Sequence, residues 1–194
     1  MVSFPPLIPS YQWMAHFLQA IIKKSTIEKA FSEAGGFLQS PRDFGRYNLL
    51  DAKGVTITLS VAVEGGGRQL RYPDKLENLN LSEHGDWRRN HLKAIESCLG
   101  KKPYFSYLFP SLSAIYLNKE FKTLREFNTA IFLNLYSFIV ADIDNARLQS
   151  FYERPVLMER GIEIMEKMKP EISSLEMISM YGKESLLGFL AYRI

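Results

Sequence analysis

Apolar positions change their period partway along this chain. In the first third, "FGRYNLLDAKGVTITLSVAVEGGGRQ" alternates and is rich in β-branched residues, with "DAKG" between two strand-like runs, which predicts a β-hairpin. Ahead of it, "VSF" reads as a short strand and "PPLIP" as a loop. "SYQWMAHFLQAII" then has helical spacing, with Ser10 in capping position. From Asp86 onward apolar residues recur every three to four positions through "WRRNHLKAIESCLG", "PSLSAIYLN", "TLREFNTAIFLNLYSFIV", "PVLMERGIEIMEKM" and "SSLEMISMYGKESLLGFL". "KKP" and "MKP" punctuate the helices, and nothing reads as a linker or an internal repeat. The expected architecture is α+β or irregular α/β: a small, mostly N-terminal sheet with a hairpin, packed by later helices. It forms one domain over residues 1–194.

Composition narrows the functional classes. With 194 residues, 46% hydrophobic and 13% aromatic, the chain can bury a core of its own. Lys and Arg number 24 against 21 Asp and Glu, a net charge of +3, so a dedicated nucleic-acid binder is not expected. Between residues 86 and 125 the balance turns basic, through Arg88, Arg89, Lys93, Lys101, Lys102, Lys119, Lys122 and Arg125. Such a segment suits a sugar phosphate, a nucleotide or a lipid phosphate, although charges scattered at helical spacing also make an ordinary solvated surface.

Cys98 stands alone, which excludes an intramolecular disulfide and a Cys-rich zinc site and fits a reducing cytoplasm. The N-terminus has no basic leader before an apolar stretch, and its prolines do not suit a secretory signal. The longest apolar runs, such as "TAIFLNLYSFIVA", fall short of the roughly 20 residues that span a bilayer. A soluble cytoplasmic protein without a transmembrane segment is expected. "EGGGR" lacks the Gly-Lys-Ser/Thr of a phosphate loop.

The stretch from Asp86 to Gly100 holds the most suggestive chemistry. Asp86 is placed to cap a helix that Gly100 and Pro103 end. Leu92, Ile95 and Leu99 make its apolar stripe, and Arg88 lies on that stripe four residues before Leu92. Arg89, Lys93 and Glu96 share the outward face, so Arg88 should turn inward and require a carboxylate, a backbone carbonyl or an anionic ligand. His84, His91 and Cys98 recur every seven residues, but seven residues of helix rise roughly 10.5 Å, too far to share one metal ion. His91 reads as a packed core-edge histidine or as a general base, and Cys98 as a small hydrophobe. "SSLE", from Ser173 to Glu176, is a capping box. Asn128 and Asn134, inside an apolar helix, either bond a neighbouring backbone or face a cleft.

Together these stretches resemble the WbqC-like family of bacterial proteins. "VSFPPLIPSYQWMAHF" keeps the shape of the family's opening, with Ser3 where many members have His. "GRYNLLDAKG" is similar to its Arg-Asn-Arg segment ahead of a hairpin and keeps the second arginine as Arg46, with Gly45 in place of Asn. "LSVAVEGG" resembles "LSIPVEKG", and "ISSLEMISMYGKES" resembles the closing "LSIIDLLFNYGPE". "SEHGDWRRNHLKAIESCLGKKPYF" resembles the tryptophan-arginine helix and the segment after it. The resemblance implies proximity to surface-polysaccharide biosynthesis and a glycine or acyl transferase activity.

Two readings follow. In the first, a transferase pocket forms where the N-terminal loop, the hairpin and the tryptophan helix converge. Arg46 and Arg88 hold an anionic group of a small or sugar-linked substrate, Tyr11 and Trp87 stack on a sugar or base, and Ser3 or His91 carries the acyl group or handles a proton. The cofactor is unknown and no metal is expected. In the second, the same residues are structural in a non-catalytic binding or assembly protein of envelope biosynthesis. Homo-oligomerisation stays open in both.

Overall fold

A computed structural model describes residues 2–10, 13, 14, 16, 17, 20, 26–35, 40–140 and 173–181. The expected helices over "PVLMERGIEIMEKM" and beyond Tyr181, and the candidate Tyr11, lie outside them.

Ser10 starts the first helical stretch as expected: its Oγ accepts the Trp13 N–H at 3.1 Å, and Trp13, Met14, His16, Phe17 and Ala20 have helical backbone. Helix α1, Ile27–Gly35, buries Ala30, Phe31 and Ala34. A tight turn, Pro41–Phe44, is opened by a capping box in which Ser40 N–H donates to Asp43 and Arg42 N–H to Ser40. Then come strands β1, Arg46–Leu50, and β2, Thr56–Ser60, in the antiparallel hairpin that the alternation predicts. Asp51 builds its turn by accepting the Lys53 and Val55 N–H groups, both at 2.8 Å, and Gly54 takes the left-handed φ of 78° that a side chain would resist. Tyr47, Leu49 and Leu59 point to the core, whereas Asn48, Thr56 and Thr58 face out.

The helical part comprises the short α2, Pro73–Leu76, then α3, Trp87–Leu99, α4, Phe105–Leu117, α5, Leu124–Val140, and α6, Ser174–Tyr181. Helices α3 and α5 both pack on α4, and α6 seats on α4 and α5. One aromatic cluster joins Trp13, Phe17 and Phe31 to Phe132 of α5; a second joins Trp87, His91, Tyr116 and Phe127. This is an α+β fold.

Two expectations change. "VSF" is not a strand: Val2 and Phe4 are buried, but the sheet-like pairing of the described N-terminal segment is a single bridge between Ser10 and Ser173. Pro5 and Pro6, without N–H groups, could not extend a ladder there. Helix α4 begins five residues before the expected Pro110, which sits inside it. The buried stripe Phe105, Leu108, Leu112 and Tyr116 carries the helix through the missing N–H.

Candidate functional site

Helix α3 starts with Asp86 at the cap position, but its carboxylate makes no capping hydrogen bond, which corrects the expectation. Its backbone, at φ −103° and ψ 43°, departs from the extended conformation that turns a capping side chain back on the helix. The carboxylate lies 3.9 Å from Arg89 Nε instead. Arg89 is solvated, and Arg88, one residue earlier on the stripe, is 5% exposed.

Arg88 reaches across to the end of α4. Its Nη1 donates to the carbonyls of Tyr116 at 3.0 Å and Asn118 at 3.3 Å, and its Nη2 to Glu83 Oε1 at 3.0 Å. A cation at the last carbonyls of a helix meets the negative end of its dipole. The guanidinium also lies over the rings of Trp87 and Phe127, 4.7 and 5.3 Å from their centroids. Trp87 is itself enclosed, 7% exposed, and its Nε1 donates to the Ser82 carbonyl at 2.8 Å. The indole is thus packed against protein on the described side of the site.

His91, one turn further on, is 4% exposed, and its Nε2 lies 3.1 Å from the Ser60 carbonyl. A carbonyl only accepts, so Nε2 holds the proton and Nδ1 presents a lone pair, buried without a hydrogen-bond partner. Burial lowers its pKa to about 4, against a smaller opposing effect of the Ser60 bond, so the ring is neutral at neutral pH. The Tyr116 hydroxyl is likewise buried without a partner, and burial raises its pKa.

Ser60 links His91 to Arg46, because Ser60 is the cross-strand partner of Arg46 in the hairpin. Arg46 is half-buried, its Nε is enclosed without a hydrogen-bond partner, and none of the ion pairs among the described residues involves it. The Ser3 N–H donates to Glu77 Oε1 at 2.5 Å, and Arg125 donates to the other oxygen of that carboxylate at 3.3 Å. No hydrogen bond joins Ser3 to His91. The fold thus gathers Trp87, Arg88 and His91 in one buried cluster and ties Arg46 to it through Ser60, while the Ser3 backbone is bonded to Glu77.

Sequence reading passed over two residues of this framework. Tyr47, next to Arg46, shares a 2.6 Å hydrogen bond with Ser173 Oγ, and burial holds its hydroxyl pKa well above the usual value. Its inward place in the strand alternation was the available signal. Tyr116 showed only as one of several apolar-stripe positions. The expected capping box forms, with Ser173 N–H donating to Glu176 and Glu176 N–H to Ser173 Oγ, both at 3.1 Å. Asn128 bonds backbone, its Nδ2 donating to the carbonyls of Pro5 at 3.0 Å and Phe44 at 2.7 Å, and Asn134 accepts from Ser111. Among the described residues, no group of three His, Cys, Asp or Glu side chains could hold a metal ion, and no helix is long and apolar enough to cross a membrane.

Hairpin, helices and buried cluster define an α+β protein with a half-buried arginine on a strand that has no ion-pair partner among the described residues. The sequence model of the WbqC-like protein family matches residues 41–179, and the chain belongs to that family. The matched span contains Arg46, Trp87, Arg88 and His91, while Ser3 and Tyr11 precede it. No curated protein and no solved structure matches the chain.

Proposed function

We propose that this protein is a glycine- or acyl-type transferase of bacterial surface-polysaccharide or cell-envelope biosynthesis, acting in the cytoplasm as one domain with Arg46 as the anchor for an anionic substrate. One observation carries the reading: a guanidinium half-withdrawn from water, with no carboxylate among the described residues paired to it, is suited to an external anion. Membership of the WbqC-like family fits the setting, which itself rests on what the resemblance implies. Ser3 supplies the hydroxyl that takes up or relays the transferred group, and Tyr11 the ring that stacks on the sugar. Trp87, Arg88 and His91, each engaged with protein, build the frame.

Thermal unfolding against nucleotide sugars, acyl-CoA, aminoacyl donors and simple anions tests it. One class should stabilise the wild type, by about 1.4 kcal/mol at tenfold excess over Kd, and leave Arg46→Gln unshifted. Equal stabilisation of both proteins removes Arg46 from the site. The second reading, a non-catalytic binding or assembly protein, is favoured by the engagement of Trp87, Arg88 and His91 with internal partners. Tight binding of the stabilising class without any turnover would select it.

A further inference from the structure

We propose that His91 is a positioning residue for the anion site at Arg46, acting through the Ser60 carbonyl rather than by proton transfer. This rests on the reading of Arg46 as the anchor. The hairpin's own bonding shows how the coupling works. Asp51 N–H donates to the Val55 carbonyl and Val61 N–H to the Gly45 carbonyl. Counting along the register from these two pairs, Arg46 and Ser60 face each other as a pair that exchanges no backbone hydrogen bonds. The two side chains of such a pair stand close together, and the backbone groups of both residues point away from the partner strand. The Ser60 carbonyl therefore projects from the outer edge of β2, where His91 Nε2 takes it at 3.1 Å.

The helix grips this strand a second time. Trp87 Nε1 donates to the Ser82 carbonyl, and Ser82 N–H donates to the Ala62 carbonyl at 2.8 Å, two residues beyond Ser60. The imidazole is fixed in turn, edge-on to Trp87 and Tyr116 at centroid distances of 5.2 and 5.8 Å. The partner strand of Arg46 is thus clamped to the first turns of α3 at Ser60 and, through Ser82, at Ala62. Arg46 itself makes no hydrogen bond through Nε, so the placement of its head group depends on the strand pair beneath it. A proton-transfer role is poorly served by the same geometry, since one ring nitrogen is occupied by a carbonyl and the other is buried.

Pyrophosphate binding, measured by isothermal titration calorimetry on the full chain, separates the cases. Wild type should bind and Arg46→Gln should not. His91→Ala should weaken binding roughly three- to tenfold, the effect of losing one hydrogen bond. His91→Gln, whose amide nitrogen can donate to Ser60, should recover to within about twofold of wild type. Ile95→Val, a destabilised control from the core of the same helix, should bind like wild type. Unchanged affinity in His91→Ala with binding lost in Arg46→Gln overturns the positioning role and leaves the anchor standing. A Gln variant as weak as Ala also overturns it. Binding by Arg46→Gln equal to wild type, or none by wild type, removes the anchor and the positioning role with it.

Discussion

Arg88 Nη1 lies 3.0 Å from the carbonyl oxygen of Tyr116, so the first turn of α3 is bonded to the last turn of α4 by a guanidinium that lies over the rings of Trp87 and Phe127. Truncation would leave the Tyr116 and Asn118 carbonyls without this donor and open a hole beside Trp87 and Phe127. Arg88→Ala should cost about 3 kcal/mol in urea unfolding. Arg88→Lys keeps the charge but not the planar fork and should recover only part of that. Arg89→Ala, on the solvated face, should stay within about 0.5 kcal/mol of wild type.

His91 gives the stability a defined acid dependence. Its folded pKa, about 4, is below the unfolded value of 6.5, so the unfolded chain binds the extra proton first as pH falls. The contribution of the neutral ring is complete above about pH 6.5, declines as pH falls through the window to about 4 and is level below it. The shift corresponds to about 3 kcal/mol in total. Unfolding free energies at pH 7.5, 5 and 4 should show a steeper loss for wild type than for His91→Gln, and parallel losses would refute the assignment.

Asn128 is fully buried and donates to Pro5 and Phe44 together, joining the N-terminal loop to the entry of β1 from the second turn of α5. Asn128→Ala should lower stability by about 2–3 kcal/mol, because two buried carbonyls lose their donor. Asn128→Asp, which replaces the donor by a third acceptor, should be worse still. Thermal denaturation ranks the three proteins, and an Asp variant as stable as wild type would contradict the bonding.

Ser173 serves a capping box and Tyr47 at once. Ser173→Ala should cost about 1–2 kcal/mol and Tyr47→Phe about 1 kcal/mol. Since the pair shares one hydrogen bond, a double-mutant cycle should show coupling of about 0.5 kcal/mol or more. Strict additivity would mean that the hydroxyls act independently.

What the sequence made legible was local. The hairpin turn, the Ser10 cap, the box at Ser173 and the inward turn of Arg88 each depend on residues within about a helical turn of one another, where spacing determines geometry. Partners far along the chain left no such trace. Arg88 finds its carbonyls 28 and 30 residues away, His91 finds Ser60 at 31, and Asn128 finds Phe44 at 84 and Pro5 at 123. Periodicity could tell that Arg88 and His91 needed partners but not which. The enclosure of Trp87 left no trace in the sequence for the same reason: it comes from Tyr116 and Phe127, which only the packing of α4 and α5 brings beside it. Arg46 was singled out by family resemblance, and that its Nε has no hydrogen-bond partner became visible only in three dimensions.

The Ser174 N–H and hydroxyl both donate to the Pro9 carbonyl, at 3.0 and 2.8 Å, across 165 residues of chain. A ribosome emitting about 5–20 residues per second would need roughly 8–33 s to bring both partners into existence. Throughout that time the N-terminal loop waits without the helix that later covers it. Closure of so long a loop is entropically costly, so the docking of α6 on the N-terminal loop belongs among the last contacts to form.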